Sequence, residues 1–177
     1  MSALNAARSE ASTSYQLSSQ ARQRIDREIA KYPQGRQQSA VLAALAIAQD
    51  ERGWLPSAVL EEVAVYLQMA PVAVYEVATF YHMFRLAPVG RHTITVCTNL
   101  PCALSGASAA ARRLQQKLGV EFGQTTADGC FTLVEGECMG ACGDAPVLLV
   151  NNKQMHSFMD EAKIDALLDS LAAEKGK

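Results

Sequence analysis

Four of the five cysteines in this 177-residue chain fall in two tight pairs, Cys97 and Cys102 in CTNLPC and Cys138 and Cys142 in ECMGAC, with 35 residues between the pairs. In a reducing compartment, thiols grouped this way serve as ligands or catalysts more readily than as disulfides. Four thiolates bind either a tetrahedral zinc or an iron–sulfur cluster. Cys-x4-Cys and Cys-x3-Cys barely satisfy the short loops that zinc modules favour. Gly106, Gly140, Ala141, Gly143 and Ala145 lie close by in the sequence, and small residues let backbone N–H groups approach negatively charged sulfurs. These surroundings favour an iron–sulfur centre and leave zinc as the rival.

A thiol–disulfide enzyme is a third reading. It wants Cys-x-x-Cys at a helix N-terminus, where the dipole lowers a thiol pKa, and that spacing is absent. A Rieske-type centre would need two histidines, whereas His82, His92 and His156 all lie outside the cysteine loops. They read as surface or packing residues. Cys130, in ADGCFTL, has no cysteine neighbour and reads as a small buried hydrophobe, because four partners already complete a ligand set.

The elements that must position these thiols show in the periodicity. Residues 1–17 are small and polar and read as a flexible tail. Residues 18–88 read as a helical domain. Leu17, Ala21, Ile25 and Ile29 recur every fourth residue, with Ser18 or Ser19 as the N-cap, and an apolar helix then runs to Gly53. Two more helices open with Pro56 and Pro71 in their first turns and run through PSAVLEEVAVYLQMA and PVAVYEVATFYHMF. RLAPVGRH breaks the period. Residues 89–177 alternate strand and helix: HTITVCT, ASAAARRLQQKLG, FTLVEGE, PVLLV, a hairpin over NNKQ to Met155–Ser157, and a last helix from Asp160. Each cysteine pair follows a strand, where loops can aim side chains inward. The fold class expected is α+β, a small helical bundle followed by an α/β domain.

The totals narrow the function. About half the residues are apolar, 49%, and the net charge of −2 provides no basic surface for nucleic acid. The first twenty residues hold no apolar run of secretory length, and nowhere do about 18 apolar residues follow one another without charge. A cytosolic protein without direct membrane insertion is expected. Ala, Ser and Arg near the start faintly suggest a transit peptide, but Glu10 and the short length count against it.

VATFYHMF, PVGRHTITVCTNLPC and ECMGACGDAP occur in this order. Together they resemble the thioredoxin-like ferredoxin subunit of bacterial NADH:quinone oxidoreductase, respiratory complex I (the E-subunit or 24 kDa subunit family), from about residue 20 to residue 172. Met139 stands where leucine is common in that family, and Cys130 where a charged or polar residue is more usual. The resemblance implies a helical domain followed by a thioredoxin-like domain that binds one [2Fe-2S] cluster through Cys97, Cys102, Cys138 and Cys142. Similar subunits occur in NAD-linked hydrogenases and formate dehydrogenases, again beside a flavoprotein.

No G-x-G-x-x-G or P-loop pattern occurs, so hydride chemistry is expected to belong to a partner and no residue here to be catalytic. NADH releases two electrons as a hydride and a two-iron cluster accepts one, so a flavin must stand between them. The family implies FMN and NADH in the adjacent flavoprotein subunit, further iron–sulfur subunits beyond it, and a cytoplasmic place peripheral to the inner membrane. Glu137 and Asp144 flank the second pair, and a carboxylate aimed at a cluster lowers its potential. Asp144 can instead cap its loop. Tyr75, Phe80, Tyr81 and Phe84 read first as core and second as a docking surface for the flavoprotein.

Overall fold

The computed structural model describes residues 15–174, and the chain divides into two compact units at Pro88/Val89. Most of the tail expected over residues 1–17 lies outside the described residues. Its last residue, Leu17, is not tail but part of the helical core.

Among the described residues the first unit has four α-helices. Helix α1 (Ser19–Ile29) starts where the Ser18 hydroxyl accepts from the Ala21 N–H, which satisfies one of the free donors of the first turn. A 3-10 turn (Gln37–Ala40) leads into α2 (Val41–Arg52), which stops at Gly53, φ +91°. Helix α3 (Ser57–Leu67) takes Pro56 as its N-cap residue rather than in its first turn. Helix α4 (Pro71–Phe80) opens on proline at its first position, where no N–H is needed. It stops at Phe80, four residues before the apolar pattern does, because Tyr81 turns to an extended conformation. Ile25, Leu45, Leu60, Val63, Leu67 and Val74 fill the core. Gln49 holds the returning chain, donating to the Met83 carbonyl at 3.1 Å and accepting from the Arg85 N–H at 2.6 Å.

The second unit is a four-stranded mixed sheet in the order β2-β1-β3-β4, built from β1 (His92–Cys97), β2 (Phe131–Gly136), β3 (Leu148–Val150) and β4 (Gln154–His156). β1 and β2 are parallel, in register from His92 opposite Phe131 to Cys97 opposite Gly136. β3 runs antiparallel to β1, and β4 closes the expected hairpin through Asn151 and Asn152, both at positive φ. Parallel neighbours need a long crossover. Here it contains α5 (Leu100–Leu104) and α6 (Ala107–Leu118). Helix α6 and the last helix, α7 (Glu161–Ala173), bury Ala110, Ala111, Leu114, Ile164, Leu168 and Leu171 against Ile94, Val96, Leu133 and Leu148. The Asp160 carboxylate caps α7, accepting from the Lys163 N–H at 2.8 Å.

No helix among the described residues is long and apolar enough to cross a membrane. The pair α3 and α4 has the composition but bends by 120° at its junction, and its apolar residues supply the helical core.

Candidate iron–sulfur site

Cys97 is the last residue of β1, and its register partner Gly136 is the last of β2. Both cysteine loops therefore leave the sheet side by side at the same end. The first turns at once into α5, five residues too short to show a helical period, which carries Cys102. The second runs through Cys138, a turn at Gly140 with φ +71°, and a 3-10 turn over Cys142–Asp144.

The four thiols differ in setting. Cys97 and Cys102 are buried with Ala107 and Val147, and Met139, Ala141 and Ala145 pack against that group. Cys138 and Cys142 are exposed. Burial, then hydrogen bonding and repulsion from Cys97 and from Cys142, pushes the Cys102 thiol up to about 11. Cys97 and Cys142 both lie within hydrogen-bonding reach of the Cys102 thiol. The Cys138 sulfur accepts from the Gly140 N–H at 3.4 Å.

Two side-chain bonds tie the loops together just outside the sulfurs. Thr98 Oγ1 donates to Glu135 Oε1 at 2.7 Å, and Asn99 Nδ2 donates to Glu137 Oε2 at 2.9 Å. The backbone adds Cys97 N–H to the Val147 carbonyl at 3.3 Å. Periodicity gave no sign of these links, since each is a single polar residue in a loop. Asp144 turns its carboxylate to the Ser157 hydroxyl, 3.3 Å away, and its backbone carbonyl accepts from the Phe158 N–H at 2.7 Å.

The remaining candidates stand apart from the thiols. His92 is buried at the opposite end of β1 from Cys97, a strand length of about 17 Å away, with its ring 5.7 Å from that of Phe131. His82 follows α4 in the helical unit, and His156 ends β4. Cys130 precedes β2 while Cys138 follows it, so the strand separates the two. Cys130 is buried and accepts from the Arg91 guanidinium at 3.0 Å.

The donor set suits a two-iron cluster. A tetrahedral zinc needs its four ligands around one point. The donors that these loops supply are four thiols, two buried and two exposed. A two-iron cluster takes four thiolates, two on each iron, which is the number these loops offer. The aromatic group splits: Phe84 is 5% exposed and in the helical core with Tyr75 packed beside it, whereas Phe80 is 79% exposed.

The family model for thioredoxin-like [2Fe-2S] ferredoxins matches residues 25–172. NADH-quinone oxidoreductase E subunit 2 of Rhizobium meliloti (strain 1021) is 47% identical over 152 residues, 86% of this chain and 89% of the relative. The corresponding E subunit of Rickettsia bellii (strain RML369-C) is 43% identical over 144 residues, 81% of this chain and 86% of the relative. Among solved structures, an NAD+-reducing [NiFe]-hydrogenase in the H2-reduced state aligns with a TM-score of 0.64 and 27% identity. The match covers 74% of this chain and 22% of the hydrogenase chain, so this chain spans about a fifth of that longer polypeptide.

Proposed function

This chain belongs to the thioredoxin-like [2Fe-2S] ferredoxin family, and from that premise we propose that it is the E-type electron-transfer subunit of an NADH:quinone oxidoreductase. Cys97, Cys102, Cys138 and Cys142 would hold one [2Fe-2S] cluster. When bound, the cluster supplies a one-electron couple.

The chain's own residues do the rest. Cys97 and Cys102, buried under Ala107 and Val147, keep water from one side of the site. Cys138 and Cys142 stand on its exposed side, where an electron can enter or leave. The Gly140 N–H offers a hydrogen bond to a sulfur that carries negative charge. Thr98 and Asn99 fix one loop against the other.

The sequence carries no G-x-G-x-x-G or P-loop pattern, and NADH oxidation would fall to a flavin-bearing partner that holds FMN and NADH. Further iron–sulfur subunits of the complex would receive the electrons. The chain then acts on the cytoplasmic side, peripheral to the inner membrane.

The observation that supports this reading is that the two cysteine loops leave adjacent ends of two parallel strands, Cys97 closing β1 opposite Gly136, which stands two residues before Cys138. Anaerobic purification tests it. Two irons and two acid-labile sulfides per chain, with a paramagnetic signal on reduction, are expected. A colourless protein loaded with zinc would overturn the reading in favour of a structural interaction module.

A second reading, the equivalent subunit of an NAD-linked hydrogenase, draws support from the fold match at 27% identity. The 47% identity to the Rhizobium meliloti relative favours the first. The subunits that co-purify with the chain decide between them.

A further inference from the structure

The end of β1 fixes Cys97 and α5 carries Cys102, but Cys142 belongs to neither a strand nor an α-helix. It opens the 3-10 turn Cys142–Asp144, where the Asp144 N–H donates to the Ala141 carbonyl at 3.0 Å and the Ala145 N–H to the Cys142 carbonyl at 3.4 Å. Both bonds are internal to the turn.

The segment between β4 and α7 grips the turn from outside. The Phe158 N–H donates to the Asp144 carbonyl at 2.7 Å, the Met159 N–H to the Pro146 carbonyl at 3.0 Å, and the Ser157 hydroxyl to Asp144 Oδ2 at 3.3 Å. Met159 is buried in the core of the second unit and anchors the segment there. The grip sets Phe158 in the left-handed region, φ +53°, where a bulky residue is an outlier that only its surroundings can hold. Burial of the ring does not compensate, since Phe158 is 54% exposed. Lys163 supplies the hold. From the first turn of α7 its ammonium donates to the Phe158 carbonyl at 2.9 Å and lies 5.9 Å from the centre of the Phe158 ring.

We infer that Lys163 and Phe158 are positioning residues for Cys142. The ammonium fixes the left-handed turn, the turn sets the direction of the Phe158 and Met159 N–H groups, and these decide where the Cys142 thiol stands within reach of Cys102. The inference rests on the function proposed above for its last step alone, the use of Cys142 as an iron ligand.

The test uses the full chain, reconstituted with its cluster, in two pairs of variants. Phe158→Gly and Phe158→Val both remove the ring, but glycine adopts a positive φ freely and a β-branched residue does not. Lys163→Arg keeps a cationic donor, and Lys163→Met keeps only the apolar stem. Phe158→Val and Lys163→Met are expected to let the backbone amides of residues 141–147 exchange with deuterium about fivefold faster or more, the scale of one lost hydrogen bond. The same two variants should displace the lines of the paramagnetic signal of the reduced chain. Phe158→Gly and Lys163→Arg should leave both readings as in the parent.

Parental exchange in Phe158→Val and Lys163→Met overturns the inference. So does an equal effect of glycine and valine, which would assign the result to the lost ring, or faster exchange with an unmoved signal, which would leave the ligand untouched by the turn. The Lys163 side chain is exposed, so that pair decides the matter should Phe158→Val fail to fold. A chain that binds no iron yet shows this exchange pattern contradicts the proposed function and leaves the positioning of the Cys142 turn standing.

Discussion

The Asn99 side-chain amide donates to Glu137 Oε2 at 2.9 Å, joining the second residue after Cys97 to the residue just before Cys138. This bond places a carboxylate at the edge of the sulfur site. Glu137→Gln is expected to raise the cluster midpoint by about 20–60 mV, where about 59 mV is tenfold for one electron. Asp144, the other acid beside the second pair, is turned to Ser157. Asp144→Asn is therefore expected to move the midpoint by less than about 20 mV, the scale of a screened charge at a distance. Potentiometric titration of both variants checks the pair, and the opposite ranking would contradict the arrangement.

Serine at any one of Cys97, Cys102, Cys138 or Cys142 is expected to lower cluster affinity by about tenfold or more. Cys130→Ser, at the far end of β2, should keep the full complement. Iron and acid-labile sulfide per chain are the measurements, and a Cys130 variant as depleted as the others would place the site elsewhere.

Gly136 pairs with Cys97 at the end of the parallel ladder. A Cβ there would stand 2.5 Å from Thr95 Cγ2 and 3.1 Å from Met139 Cε. Thr95 is β-branched within a strand and has little room to turn. Gly136→Ala should cost about 1–3 kcal/mol, as overpacking does, and chemical denaturation of the full chain would show it. A variant as stable as the parent would mean the sheet edge yields freely.

Phe84 and Phe80 close the helical unit in opposite settings, one in the core and one in solvent. Phe84→Ala is expected to destabilise that unit by about 3–5 kcal/mol. Phe80→Ala should stay within about 0.5 kcal/mol. Equal losses in urea unfolding would refute the assignment.

Arg113 grips Asp165 with two bonds, Nε at 3.1 Å and Nη2 at 2.5 Å, and Lys117 adds a third contact at 3.0 Å. The Arg113 hydrogen bonds, with Lys117 assisting, hold the Asp165 carboxyl below its ordinary 3.8. A depressed carboxyl contributes stability above its unfolded pKa and loses it as pH falls through the folded one. The advantage of the parent over Asp165→Asn should thus be full at pH 6 and shrink below about 3.8. Thermal unfolding across that range measures it, and a gap that does not change with pH would exclude the linkage.

Long elements were legible in the residue pattern because periodicity accumulates over several turns. Helices α1, α2, α6 and α7 and strands β1 and β2 appear where apolar spacing places them. Local chemistry corrected the ends. Pro56 sits one place earlier than a first-turn role requires, and α4 ends at Phe80 because Tyr81 leaves the helical region. Helix α5 was invisible, since five residues show no period. The cysteine spacing singled out four thiols, but the loop-to-loop bonds of Thr98 and Asn99 depend on which strands lie side by side. That neighbourhood is a property of the sheet order, which no local pattern carries.

Because β1 and β2 run in the same direction and finish level with each other, proximity of the sulfur donors is decided by ladder alignment rather than by how much polypeptide intervenes. The stretch from Val120 to Gly129, beyond α6, helps to hold that alignment: Gly123 N–H donates to the Leu133 carbonyl, Leu133 N–H to the Gln124 carbonyl and Thr126 N–H to the Phe131 carbonyl. Sliding either strand by a single step would turn every side chain in it to the opposite face and pull the two halves of the site out of line.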